Sequence, residues 1–227
     1  MAFLKNIPIH YKGELHNIRL INFWIDKKEV SEFVPEQLKV RDFNGRALIS
    51  MVNVELKKMH PTFLPEAAHF EYRHVAFRLL LDDSEFNGKV PKGIYFFRSF
   101  TDKTHIVLGG KLLTNYNLEK AEINCLDRMM ELKRGEKYFN YALDLESTAN
   151  HGKEQFETIG NIDRAYSVSG EKVKMIRILR EKWPIRPVNC YLMETNFFKT
   201  AAFASAYVVD ETIHYQWLSA TTIQQCA

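Results

Sequence analysis

The chain has 227 residues, 46% of them hydrophobic and 13% aromatic, with 31 Lys and Arg against 28 Asp and Glu for a net charge of +3. That apolar content can fill a large core and excludes general disorder, and so small and scattered a charge is not the basic footprint of a nucleic-acid partner. No run approaches the ~18 apolar residues of a membrane span, and the N-terminal MAFLKNIPIHYKGE lacks both a long apolar core and a small-residue cleavage site, so a soluble cytoplasmic protein away from membranes is expected.

The first element with a signature is DKKEVSEFVPEQL. Asp26 is placed to cap a helix, and Val30, Phe33 and Val34 fall at i, i+3 and i+4 before Pro35 stops it. Strand-like runs rich in β-branched and aromatic residues then dominate: 47–56, 69–81, 92–100, HIVLGGKLL at 105–113, and 137–146. The polar stretch ESTANHGKEQFETIGNID, 146–163, reads either as a long loop or as a seam between two sheet halves. Further strands follow at 172–181, 188–195 and 212–218, and the Ala-rich KTAAFASAY, 199–207, is a helix candidate with Phe203 and Tyr207 on one face. Strands before and after the polar stretch are alike in composition. A mainly antiparallel sheet or barrel with few helices, forming one domain over 1–227, is therefore expected.

Among sites of known chemistry, the sequence has no GxSxG, GxGxxG or HExxH and no Gly-rich phosphate loop ending in Lys and Ser or Thr. Its eight histidines do not fall at i, i+4 on a helix. Cys125, Cys190 and Cys226 form no zinc spacing and fit unpaired thiols in a reducing compartment. No metal, cofactor or catalytic residue is assigned. What remains are charges inside apolar strands: Glu71, Arg73 and Arg78 in HFEYRHVAFRLLL, and Arg98 in IYFFRSF. Buried, such charges must be paired, so they are either structural ion pairs or the polar anchors of a ligand. His214 and Tyr215 suit a pocket mouth or a structural hydrogen bond, and Trp183, Pro184 and Pro187 suit a rigid bend.

NGRALISMVNVEL, KGIYFFRSF, THIVLGGKLLTNY, EKWPIRPVNC and IHYQW, in that order and spacing, resemble domain of unknown function 2071, a branch of the acetoacetate decarboxylase-like superfamily, over roughly residues 15 to 220. The resemblance implies a cone-like antiparallel β-barrel flanked by a few short helices. The decarboxylases of that superfamily use a Schiff-base lysine whose pKa a neighbouring lysine lowers, because only a neutral amine attacks a ketone. Aligned from Gly109, Asn117 stands in the nucleophile's place and Leu118 in its neighbour's, and neither can do that chemistry. Glu71 matches a pocket glutamate. Lys111, after two glycines, and Lys120 could substitute only under a different alignment of the loop.

Two classes of function follow. The chain binds a small carboxylate or carbonyl ligand in a barrel cavity walled by Glu71, Arg73, Arg98, Tyr116 and Asn117, without Schiff-base decarboxylation; or it is a non-catalytic structural or interaction domain whose barrel is filled by its 16 Phe and 10 Tyr. A lysine-dependent lyase using Lys111 or Lys120 is the third alternative. Oligomeric state is not readable from the sequence.

Overall fold

A computed structural model describes residues 9–87, 90–113, 118–150 and 158–223, the side chains at 87 and 111–113 excepted. In chain order the elements are β1 (Tyr11–Asp26), α1 (Lys27–Ser31), β2 (Arg46–Pro61), β3 (Phe70–Leu80), α2 (Ser84–Asn87), β4 (Gly93–Thr101) and α3 (Thr104–Leu113). There follow β5 (Leu118–Lys120), β6 (Glu122–Cys125), β7 (Met129–Arg134), β8 (Lys137–Asp144), β9 (Arg164–Ser169) and β10 (Lys172–Arg180). The last are β11 (Arg186–Pro187), β12 (Asn189–Thr195), β13 (Ala202–Val209), β14 (Ile213–Trp217) and β15 (Thr221–Ile223).

Hydrogen bonding runs β1–β14–β10–β9–β4–β3–β2 and back to β1, closing a ring of seven strands. Pairing is antiparallel except where β4 meets β5 and β9. β1 pairs with β2 along one edge and forks along the other: Tyr11–Leu15 pair with β14, and Ile18–Trp24 with β13. At the fork β1 bulges between His16 and Arg19, and Asn17 takes φ 52°, a left-handed backbone that Asn tolerates better than most residues.

Successive side chains of a strand point to opposite faces, so each ring strand has an inward and an outward set. Trp217 of β14 meets Phe96 of β4 at 5.7 Å although β9 and β10 lie between them, which identifies the inward set. Trp183 packs under Arg180, 4.2 Å from the guanidinium carbon, and joins Ile159 and Ile185 in the same cluster. The ring is filled by side chains.

A second sheet, β12–β8–β7–β6, folds over the outward face of β1, β2 and β3. Phe139 of β8 lies 5.6 Å from Phe23 and 5.3 Å from Phe77. Each such buried aromatic contributes about 1.5–3 kcal/mol relative to exposure, so this apolar contact fixes how the second sheet sits.

Asp26 caps α1 as expected, its Oδ1 accepting from Lys28 N at 2.9 Å, but the helix ends at Ser31, short of Pro35. Two expectations are overturned. HIVLGGKLL is helical, in α3, where Val107 N donates to Lys103 O at 3.2 Å; a continuous apolar run does not by itself separate strand from helix. A Cβ built at Gly109 or Gly110 meets nothing within 4 Å, so these glycines do not serve a close backbone approach. KTAAFASAY falls largely in β13: Ala206 and Val208 pack on one face, Tyr207 and Val209 on the other, and pairing with β1 outweighs the helix propensity of alanine. Residues 151–157 of the polar connector lie outside the described residues, while its end turns inward, with Ile159 fully buried. No helix among the described residues is long and apolar enough to cross a membrane.

Candidate functional site

Where the second sheet stops covering the ring, the outward face of β1–β3 changes from apolar to polar. Ile21, Met51 and Phe77 give way to Arg19, Asn53, Glu55 and Arg73 along the same three strands. These four, with Asn17, Cys125, Leu126, Asp127 and Tyr141, line a cleft of about 240 Å³.

Register assembles the site. Arg19 pairs opposite Asn53 across β1 and β2, and Glu55 opposite Arg73 across β2 and β3. Arg73 forms an ion pair with Glu55 and donates from Nη1 to Asn53 Oδ1 at 3.1 Å. Asn53 Nδ2 donates to Tyr141 Oη at 2.8 Å and approaches Cys125 Sγ at 3.5 Å. From the bulge, Asn17 Nδ2 donates to Glu55 Oε2 at 3.1 Å.

Arg19 is 7% exposed. Its Nη1 donates to Ile18 O at 3.2 Å and reaches Asp210 Oδ1 at 3.4 Å, while Nε and Nη2 make no hydrogen bond to any described residue. Asp210 is itself shared with Arg186, whose Nη2 lies 2.9 Å from Oδ2. Burial pushes the Tyr141 hydroxyl well above the ordinary phenol range, against the Asn53 hydrogen bond, so it stays protonated. Burial also raises the Cys125 thiol, opposed by the Arg73 charge and the Asn53 amide, which leaves it a poor nucleophile.

Of the residues expected to wall a site, Arg73 lies in the cleft. Glu71 is half exposed, with His69 Nε2 at 3.8 Å, and the carboxylate that meets Arg73 is Glu55 on the neighbouring strand. Arg98 lies outside the cleft walls: it stands 3.8 Å from Glu119, which Arg134 approaches to 3.3 Å, and packs over Phe97 and Phe197. Tyr116 and Asn117 fall outside the described residues, as does the side chain of Lys111 in α3; Lys120 is exposed on β5. Leu118 is buried beside Ser99. Arg78 belongs to the ring interior. His214 is exposed, its backbone N–H donating to Glu181, and Tyr215 donates to Met59 Sδ at 3.0 Å inside the ring.

Arg19, Asn53, Glu55, Cys125 and Tyr141 were not singled out by sequence. Arg19, a cation in the apolar run IRLINFWI, carries the same signal as Arg98, and Asn53 and Glu55 are alternate polar positions in an apolar strand. Tyr141 and Cys125 have no such mark. A second hollow of about 420 Å³ beside α1 is lined by Val34, Leu38 and Val40 with scattered charges, of which Lys27 pairs with Asp42 and Lys39 with Asp82, and by no convergent polar set. Among the described residues no group of three His, Cys, Asp or Glu could hold a metal.

The profile of domain of unknown function 2071, described as an uncharacterized conserved protein, matches residues 12–218. No curated protein sequence matches the chain. Among solved structures, an acetoacetate decarboxylase-like enzyme from Sphingomonas wittichii RW1 superposes with TM-score 0.67 at 12% identity, covering 98% of this chain and 96% of that one. The enduracididine biosynthesis enzyme MppR complexed with pyruvate gives TM-score 0.61 at 12% identity, with coverage of 98% and 93%. Acetoacetate decarboxylase from Legionella pneumophila subsp. pneumophila str. Philadelphia 1 gives 0.60 at 8% identity, with coverage of 96% and 88%. With the profile matched over nearly its whole length, the chain belongs to the domain of unknown function 2071 family, and its superposition on these enzymes over almost all of its residues gives it an acetoacetate decarboxylase-like fold.

Proposed function

We propose that the protein binds a small organic acid or carbonyl compound in the cleft at the margin of the second sheet and does not decarboxylate through a Schiff base. Arg19 carries this reading. It is a buried guanidinium with two donor nitrogens unused by the described residues, in a wall of a cleft open to solvent. A ligand carboxylate there gains charge-assisted hydrogen bonds of about 1.5–3 kcal/mol each. Arg73 is already committed to Glu55 and Asn53 and acts as a positioning cation. The small volume suits a ligand of a few heavy atoms, for which affinities of micromolar to millimolar are the realistic range.

No lysine is among the described residues lining the cleft, and Leu118 is buried and uncharged, in support of a lost Schiff-base apparatus. Tyr116 and Asn117, which lie outside the described residues, stay candidates on the sequence resemblance alone. The chain is read as one domain, because one cluster of buried residues runs from the ring strands into the second sheet. It is read as working in a reducing cytoplasm, where the free thiols Cys125 and Cys190 are at home. The filled ring interior favours the second reading, a non-catalytic interaction domain.

Calorimetric titration with acetate, propionate and pyruvate at millimolar concentration decides between them; pyruvate is included because the MppR neighbour is complexed with it. Binding to the wild type and a loss of about tenfold or more in Arg19→Met are expected. Absence of binding by any acid returns the protein to the interaction reading. Borohydride reduction in the presence of pyruvate is expected to leave the intact mass unchanged; an adduct on Lys111 or Lys120 would restore the lyase.

A further inference from the structure

The polarity of the hydrogen bonds around Asn53 leaves one proton with no acceptor among the described residues. A guanidinium only donates, so the atom of Asn53 that faces Arg73 Nη1 at 3.1 Å is its oxygen. The amide nitrogen then faces Tyr141 and Cys125, and it too only donates. The Tyr141 oxygen is therefore an acceptor towards Asn53, and its own O–H points elsewhere. No described residue accepts that proton, although Tyr141 is only 2% exposed and its ring is fixed among core residues. Tyr141 is one of the residues that line the cleft.

We propose that the Tyr141 hydroxyl is the hydrogen-bond donor of the cleft, aimed at an acceptor oxygen that the ligand carries in addition to the carboxylate held by Arg19, with Arg73 and Asn53 as the positioning residues that turn it outward. This rests on the cleft being the ligand site. The two donors divide the work: Arg19 takes the charged end of the ligand, and Tyr141 reads a neutral oxygen beside it. The class of ligand selected is a short acid with a carbonyl oxygen near its carboxylate, in preference to the plain alkyl acid of the same length.

Pyruvate and propionate differ by that one oxygen and are the probes. In calorimetric titrations the wild type is expected to prefer pyruvate by about tenfold, the worth of one good neutral hydrogen bond. Tyr141→Phe, which keeps the ring, should bring pyruvate down to the affinity of propionate and leave propionate unchanged. Asn53→Asp places an acceptor where the donor was, so the Tyr141 proton turns back to it. The preference should then collapse with the hydroxyl still in place. A preference that survives either substitution, or an equal loss for both acids in Tyr141→Phe, overturns the assignment. Equal binding of the two acids by the wild type overturns it while leaving the anion site intact. Binding of neither removes the anion site, and the donor with it.

Discussion

β3 carries two arginines five residues apart on opposite faces, and the two faces treat them differently. Arg78 points into the ring, 5% exposed, donating to Ser50 O at 3.2 Å and to Ser50 Oγ at 2.7 Å. It is one of a row of polar residues, Ser205, Asn22, Ser50 and Arg78, that are register neighbours across β13, β1, β2 and β3. Arg73 points outward, to a cleft that solvent reaches, and its partners lead through Asn53 to Tyr141. An arginine inside an apolar strand thus carries no functional meaning of its own. The inward one is built into the structure, and the outward one belongs to a surface that a ligand can share.

The ring also refuses a second charge. His74, inward and next to Phe96 at 6.2 Å between ring centroids, has its pKa lowered to about 3, first by burial and then by the Arg78 charge. The inside is therefore a place where charge is a question of stability, and the cleft one where, on the proposed function, it is a question of binding.

The sharpest test of that contrast is Arg78→Met, which should lower stability by about 3 kcal/mol in urea melts through lost charged hydrogen bonds, with carboxylate affinity unchanged. Lost affinity with intact stability would reverse the assignment of the two faces. Acid is the next lever. With its folded pKa depressed to about 3, His74 takes up a proton more readily in the unfolded chain, where it titrates near 6.5. Its neutral form therefore contributes stability in full above pH 6.5, and this is lost as pH falls towards 3, by up to about 1.4 kcal/mol per pH unit. Melts should show about 2 kcal/mol less stability at pH 5 than at pH 7.5, and His74→Gln should flatten that slope. Glu14, held down to about 2 by hydrogen bonds first from Lys58 and then from His16, loses its contribution only as pH falls from its unfolded pKa of 4.5 towards 2, so it adds little between pH 7.5 and pH 5. The smallest effect is expected for Arg98→Met: less than about 1 kcal/mol, because the pair with Glu119 is partly solvated and Glu119 keeps Arg134, and no change in acid binding.

The strands that alternate, or that are dense in β-branched and aromatic residues, are legible in the sequence, and β2, β3, β4, β8, β10, β12 and β14 lie where the runs place them. α3 and β13 are not, because both are apolar or small on every side and only their partners decide their state. β1 is hidden for a related reason: its two halves pair with different strands, so its pattern changes at the bulge. In the cleft, Arg73 is legible as a cation among aromatics. The choice of Glu55 over Glu71 as its carboxylate is a matter of register, which composition does not set. Tyr141 and Cys125 arrive from the second sheet and have no local mark at all.

The fork in β1 also has a consequence for biosynthesis. The edge of β1 that receives β13 must wait for residues 183 positions later in the chain, as the Asn22 to Ser205 hydrogen bond shows. At about 5–20 residues per second, a ribosome needs roughly 10–40 s to deliver them. For that time one side of an apolar strand stands unpaired, open to the strand edges of other nascent chains.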